Sequence, residues 1–252
     1  SFLNKKYISA MSGFCQTWLT LFYENKKPIG WAVFYLSTFQ SEELEHDLTQ
    51  CMGIKDWIAK KWTNRSKEQS VLVCGNPLVS GEHGFVFLKG YSEEIQADIL
   101  CDAMNLVVKK VRNEGIPLGI CLMKDFYPHQ DKLRLALKKC GFSTMEGDPV
   151  MMLPILPHWH SLADYQNDLI SKFRSKSLTA FDKSKSVQSL ELSWQEMSDT
   201  RNDWFVLYEK VYDRAQHKWK KLTQDVILSM KQNLGEQFVF RGYYLENACV
   251  GF

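Results

Sequence analysis

Two distant stretches of the chain share one pattern of apolar and polar positions: an apolar run, a polar turn, and a second apolar run entered through a Gly-aromatic step. Leu19 to Phe34 reads LTLFYENKKPIGWAVF, with Glu24-Asn25-Lys26-Lys27 in the turn and Pro28-Ile29-Gly30-Trp31 opening the return strand. Phe238 to Phe252 reads FVFRGYYLENACVGF, with Glu246-Asn247 in the turn and Val250-Gly251-Phe252 following. The pattern predicts two β-hairpins and one unit occurring twice. Asn-containing hairpins are common, so coincidence is the plainer alternative. Ala248-Cys249-Val250-Gly251-Phe252 is an apolar strand with no following partner, which would leave backbone groups unpaired. The expectation is therefore that the natural polypeptide continues and that the second copy is incomplete here.

Between the hairpins the periodicity changes. Leu44, Leu48, Cys51, Met52, Ile58 and Trp62 recur among polar residues and predict one or two helices over Ser41–Thr63. Ser70-Val71-Leu72-Val73-Cys74 reads as a buried strand stopped by Gly75-Asn76-Pro77, and Phe85-Val86-Phe87-Leu88 as a short strand after the turn Gly81-Glu82-His83-Gly84. Ser92 is a predicted N-cap, with Glu93 and Glu94 in the first helical turn. Ile95, Ile99, Ala103, Leu106 and Val107 keep the helical spacing, Lys109, Lys110 and Arg112 close the helix, and Gly115 and Pro117 end it. Leu118 to Met123, apolar on both faces, predicts a strand covered from both sides. A helix over His129–Cys140 ends at Gly141, and a strand is expected over Pro149–Leu153. This order predicts an α/β (α+β) fold with a mixed sheet behind an antiparallel hairpin and helices on both faces.

Residues 161 to 186 differ in character. Leu162, Tyr165, Leu169 and Phe173 mark one helical face, Ser161 can cap it, and Lys172, Arg174, Lys176, Lys183 and Lys185 gather against Asp182 alone, five charges less one. Helices are then expected over Asn202–Arg214, through Trp204, Leu207, Tyr208 and Val211, and from Thr223 to Gly235, through Val226, Ile227, Met230 and Leu234.

The strand and helix order, with the run Leu137-Lys138-Lys139-Cys140-Gly141-Phe142 before the last strand, resembles the GNAT acyltransferase fold. Asp164, Tyr165, Leu169, Lys172 and Arg174 form a D-Y-x-x-x-L-x-x-K-x-R pattern similar to the linker of Fem-type peptidoglycan aminoacyltransferases and related bacterial N-acyltransferases. Those proteins are tandem GNAT-like domains, in keeping with the repeated hairpin. The resemblance implies a first GNAT-like domain over 1–158, a helical basic linker over 159–200, and the start of a second, truncated GNAT-like domain over 201–252.

Composition narrows the class. The 252 residues are 45% hydrophobic and 24% charged, a globular mixture with apolar mass for one large or two medium domains. No apolar run approaches the roughly 20 residues needed to span a bilayer, and Ser1-Phe2-Leu3-Asn4-Lys5-Lys6 lacks the apolar core of a secretion signal. A cytoplasmic or membrane-peripheral location with no transmembrane segment is expected. Seven scattered cysteines without a C-x-x-C pair suit reduced, packed thiols rather than a disulfide framework or a zinc site. The formal net charge of +2 names no partner.

Candidate chemistry collects in few places. Asn76, Lys124 and Asp125 follow the C-terminal ends of the two central strands, where ligands bind in open α/β sheets. The plainer reading is the start of a polar loop. Glu82 and His83 are an adjacent acid-imidazole pair in a Gly-flanked loop and, with Asp125, the candidates for a catalytic base. The loop lacks the [RQ]-x-x-G-x-[GA] pattern with which the GNAT family holds the coenzyme A pyrophosphate, so an ordinary turn is expected, without the usual CoA site in the first copy. His158-Trp159-His160 lacks a further ligand at useful spacing, and no metal is expected. Lys172, Arg174 and Lys176, with Lys218, Lys220 and Lys221, are interleaved with Phe173, Phe181 and Trp219 and suit an anionic partner such as tRNA, a CoA phosphate or a lipid headgroup; a solvated helix face is the alternative.

The family resemblance implies an N-acyltransferase with acyl-CoA or aminoacyl-tRNA as donor and an amine acceptor, such as a cell-envelope precursor, a lipid or a small amine. The competing expectations are a GNAT-like binding or interaction module without catalysis and an RNA-binding protein that uses the basic linker.

Overall fold

The computed structural model describes residues 11, 13–40, 68–78, 81, 84–144, 151–215 and 221–252. The helices expected over Ser41–Thr63 lie outside the described residues. The chain divides into two compact units, one of residues 1–148 and 215–233, the other of residues 149–214 and 234–252.

In the first unit, β1 (Gln16–Glu24) and β2 (Lys27–Gln40) form the expected hairpin. β2 pairs antiparallel with β3 (Glu68–Cys74) and with the short β4 (Phe85–Phe87), and β3 pairs in parallel with β5 (Leu118–Met123). The path β1-β2-β3-β5 is thus a mixed sheet. Between β3 and β5 the chain crosses through β4 and then through α1 (Glu93–Asn113), while α2 (Asp131–Lys139) follows β5. Strand periodicity of two sorts the side chains. Ala32, Phe34, Leu36, Leu72 and Cys74 face a core shared with Leu100, Met104 and Val107 of α1 and Leu133 and Leu137 of α2. The alternate residues Val33, Tyr35, Val71 and Val73 are buried as well, so the central strands are covered on both faces.

The helix signals act where the sequence places them. Ser92 Oγ accepts from the Ile95 amide at 3.4 Å, and Glu93 reaches across to the other helix, its Oε2 accepting from the Leu133 amide at 2.5 Å. Gly141, at φ 92°, closes α2 with its own amide on Lys138 O and the Phe142 amide on Leu137 O.

The second unit holds α3 (Leu162–Asp168), α4 (Ser171–Lys183), β6 (Gln188–Glu191), α5 (Trp194–Asp199), α6 (Arg201–Arg214), β7 (Arg241–Leu245) and β8 (Ala248–Gly251). Its antiparallel sheet runs β6-β7-β8, so residues 188–191, within the basic segment, belong to the sheet of the second hairpin. Trp204 of α6 anchors the core, its ring 5.2 Å from Phe240 and 6.1 Å from Phe252, with its indole N–H donating to Met197 O at 2.9 Å. That hydrogen bond satisfies the one polar atom of a fully buried ring. Helix α7 (Gln224–Leu234), capped by Thr223 Oγ1 on the Val226 amide, falls through Asn233 in the first unit.

The two hairpins share more than a turn. Asn25 and Lys26 have φ of 49° and 65°, Glu246 and Asn247 have 49° and 67°, and both are two-residue turns with both central residues left-handed. In the first, Glu24 pairs with Lys27, Tyr23 with Pro28, and then Phe22 with Gly30, leaving Ile29 as a bulge. In the second, Leu245 pairs with Ala248, Tyr244 with Cys249, and then Tyr243 with Gly251, leaving Val250 as a bulge. The bulge falls at the same step, and Gly30-Trp31 corresponds to Gly251-Phe252. The Glu-Asn dipeptides themselves are out of step by one residue, because Asn25 is the first central residue of its turn and Asn247 the second. The neighbours differ too: β7 also pairs with β6, whereas β1 pairs with β2 alone among the described residues.

The strand expected over Pro149–Leu153 does not form in its described part, residues 151–153. Met151-Met152-Leu153 has no ladder partner, and Met151 and Met152 are 90% and 76% exposed. An apolar run becomes a strand only where an edge offers it hydrogen bonds, and among the described residues none is offered to these three.

Candidate functional site

The carboxyl ends of β3 and β5 bring together Asn76, Lys124 and Asp125. Because β3 and β5 are parallel neighbours in register from Val71↔Ile120 to Cys74↔Met123, the residues leaving them emerge side by side. The ladder continues one step further, with the Lys124 amide on Cys74 O at 3.2 Å.

Backbone conformation at three residues shapes this corner. Gly75 has φ 133°, and a Cβ there would lie 2.5 Å from Lys124 Cγ, so the lysine stem lies flush against the glycine backbone. Asn76 is 1% exposed and its Oδ1 accepts from the Leu78 amide at 2.8 Å, turning the chain away from the sheet. Asp125 has φ 66°, a left-handed conformation that costs a non-glycine residue about 1–2 kcal/mol. The turned-back Lys124 places its ammonium between two oxygens: Nζ donates to Asn76 O at 2.9 Å and lies 2.9 Å from Asp125 Oδ2, an ion pair rather than a directed hydrogen bond. Both side chains are partly shielded, which strengthens the attraction relative to an exposed pair. Gly84 packs against the same corner, where its Cβ would lie 3.1 Å from the Gly75 amide nitrogen, and Cys74 Sγ donates to Gly84 O at 3.7 Å. Burial pushes the Cys74 thiol up to about 12, so it stays protonated at neutral pH and takes no part as a nucleophile. Chemically, the corner can hold a primary ammonium between a carbonyl and a carboxylate, or offer a lysine ammonium to an anionic group and Asp125 as a proton acceptor.

The other candidates are dispersed. Glu82, His83, Lys218 and Lys220 lie outside the described residues. Lys221 precedes α7 and has interactions of its own. Lys172 and Lys176 are exposed on α4. Arg174 has a structural task instead: its Nε donates to Gln166 O at 3.1 Å and its Nη2 to Asn167 O and, at 3.0 Å, to Leu169 O, closing the C-terminus of α3. A shallow, open depression of about 380 Å³ lies on α4 along Ser175, Lys176, Thr179, Ala180 and Lys183. All of these residues belong to a single helix, which makes it a helix face and not a cleft.

Two features escaped the sequence reading. Gly75 was legible only as a chain breaker, although its missing side chain is what lets Lys124 fold back. His158 and Trp159 converge on one acceptor, with His158 Nε2 2.6 Å and Trp159 Nε1 2.7 Å from Asp168 Oδ2. The hydrogen bonds from His158 and Trp159 hold the Asp168 carboxyl below its ordinary value. Asp168 stands at the end of α3, so only a helix bringing its end back to the preceding loop could have revealed the pairing. Among the described residues no group of three or more His, Cys, Asp or Glu is placed to hold a metal ion, and no helix is long and apolar enough to cross a membrane.

Comparison with protein-family models, with curated proteins and with solved structures returned no match to the chain.

Proposed function

We propose that the chain is an N-acyltransferase with tandem GNAT-like, Fem-type architecture, moving an acyl or aminoacyl group from acyl-CoA or aminoacyl-tRNA to an amine acceptor, such as a cell-envelope precursor, a lipid or a small amine. The observation that carries this reading is the Asn76-Lys124-Asp125 corner at the carboxyl ends of two adjacent parallel strands, behind an antiparallel hairpin. In such a reaction the protein mainly positions its substrates. Asp125 takes the proton released as the acceptor amine attacks, and Lys124, held in place by the carbonyl of the buried Asn76, orients the acceptor. The shared turn, bulge and Gly-aromatic step of the two hairpins support the tandem reading.

A second reading has its own observation. GNAT-like catalysis seats the thioester in a notch where two parallel strands splay, yet β3 and β5 stay hydrogen-bonded to their ends and through Lys124. That favours a first unit that docks acceptor or partner without holding the donor. Calorimetric titration with acetyl-CoA, beside an acylation assay with acyl-CoA and aminoacyl-tRNA donors, separates the two. Weak or absent CoA binding is expected. A tight one-to-one isotherm lost in Gly81→Ala would make the first unit a donor site. No transfer from either donor, with an amine-bearing ligand still bound at the Asp125 corner, would establish the docking module.

A further inference from the structure

Strand β1 ends the first sheet: among the described residues it pairs with β2 alone. Which of its backbone groups β2 engages follows from the ladder on the far side of β2. There the Val33 amide donates to Gly84 O at 2.8 Å and Ile29 O accepts from the Leu88 amide, so the even-numbered residues of β2 turn towards β1. Phe34, Ala32 and Gly30 stand opposite Trp18, Thr20 and Phe22. Backbone groups alternate inward and outward along an antiparallel strand, so Thr17, Leu19, Leu21 and Tyr23 present theirs to the open edge. Their side chains lie on the face away from Trp18 and Phe22, which pack in the core, and Leu19, Leu21 and Tyr23 are 48%, 51% and 58% exposed. The strand holds no lysine and no proline, residues that ordinarily keep an open edge from pairing.

We propose that the β1 edge is a docking surface for a second copy of this chain, the two strands pairing antiparallel about a two-fold axis at Thr20. The strand, QTWLTLFYE, is close to a palindrome in character. Turned upon itself it sets Leu19 against Leu21, Thr17 against Tyr23, Trp18 against Phe22 and Gln16 against Glu24. Leu19 with Leu21 and Thr17 with Tyr23 are then hydrogen-bonded pairs, and all four outward residues of each copy are satisfied. A shift by two positions leaves Thr17 or Tyr23 without a partner in the other strand, and a shift by one sets outward groups against inward ones. Charge agrees with this register. Glu24, the one charged residue of the strand, meets Gln16 and not a like charge, and Lys26 in the turn of each copy comes towards Glu114 of the other, which accepts from Gln16 Nε2 at 3.2 Å. Nine residues give about 30 Å of edge and roughly a few hundred Å² buried per copy, under the about 800 Å² per partner of a standard interface, so the association is weak and follows concentration. The candidate corner begins two strands away, at β3. The inference goes beyond the acyl-transfer reading and does not depend on it.

The test is sedimentation velocity of the whole chain over a wide range of concentration, up to about 1 mM. The expected result is a monomer that passes to a dimer and to nothing larger. Leu21→Lys sets two ammonium groups near the centre of the pair and should raise the dissociation constant about tenfold or more. Leu21 is exposed and its backbone groups face away from β2, so the monomer keeps its fold; where the thermal midpoint falls, Tyr23→Lys, at the most exposed of the three positions, decides instead. The register is read separately. Thr20 would face its own copy as a non-hydrogen-bonded pair, about 4.5 Å apart between Cα atoms, so Thr20→Cys should cross-link to itself under mild oxidation, as seen by non-reducing peptide mass spectrometry. A monomer at every concentration, a dimer indifferent to Leu21→Lys and Tyr23→Lys, open-ended oligomers, or a dimer in which Thr20→Cys does not self-link would overturn the proposal.

Discussion

Replacing Gly75 by alanine should disarm the candidate site from behind. The added Cβ would lie 2.5 Å from Lys124 Cγ and 3.2 Å from Cδ, and both atoms are too near the backbone to swing aside while the ammonium stays in place. Lys124 must turn out, forfeiting its hydrogen bond to Asn76 O and its ion pair with Asp125, about 1–2 kcal/mol for a partly shielded pair. A side chain at φ 133° adds about 1–2 kcal/mol of backbone strain that no rearrangement of Lys124 relieves. The sum is about 2–4 kcal/mol, measurable by urea unfolding of wild type, Gly75→Ala, Lys124→Ala and the double variant. In the Lys124→Ala background the collision is gone and only the strain remains. The double variant should therefore be more stable than additivity predicts by about 1–2 kcal/mol. Additivity within about 0.5 kcal/mol would show that Gly75 and Lys124 do not interact, and the account of the corner would fail.

Equivalent glycines of the two hairpins should respond differently: Gly30→Ala meets Val86 O at 2.5 Å and should cost several-fold more in unfolding free energy than Gly251→Ala, which meets Tyr243 at 3.7 Å; equal costs would contradict the packing around β4. Lys172→Glu with Lys176→Glu should weaken binding to tRNA or anionic vesicles far more at low salt than at high, since exposed charges are screened within about 10 Å at 0.1 M. Unchanged binding would leave α4 a solvated face. Arg174→Lys should instead lower thermal stability at every salt concentration, because an ammonium cannot span the Gln166, Asn167 and Leu169 carbonyls. Stability should fall as pH rises from about 9 towards about 12: the unfolded chain releases the Cys74 proton near its ordinary value of 9.0, whereas the folded chain keeps it up to about 12, so the unfolded state binds fewer protons across that window. Cys74→Ala should flatten the decline in alkaline denaturation curves, and an unaltered slope would locate its cause elsewhere.

The sequence by itself determined what depends on a few consecutive residues. Ser92 before Glu93 and Glu94 defined the start of α1, Gly141 the end of α2, and Asn25-Lys26 and Glu246-Asn247 the tight turns, because caps and turns satisfy backbone groups locally. The placing of Asn76, Lys124 and Asp125 after β3 and β5 was also legible, since parallel neighbours release their chains at one end, although β5 ends the described strand path and is not the central strand expected. Tertiary structure alone decided the pairings. Whether an apolar run becomes a strand depends on a partner edge, which Phe85–Phe87 finds on β2 and Met151–Leu153 does not. The matching bulges at Ile29 and Val250 are properties of register, invisible until both strands are placed. Arg174 reads as part of a basic cluster until α3 is folded back beside it and its guanidinium finds three carbonyls. Gly75 likewise shows its purpose only with Lys124, forty-nine residues on, lying across it, because close approach between distant segments leaves no local mark in the chain.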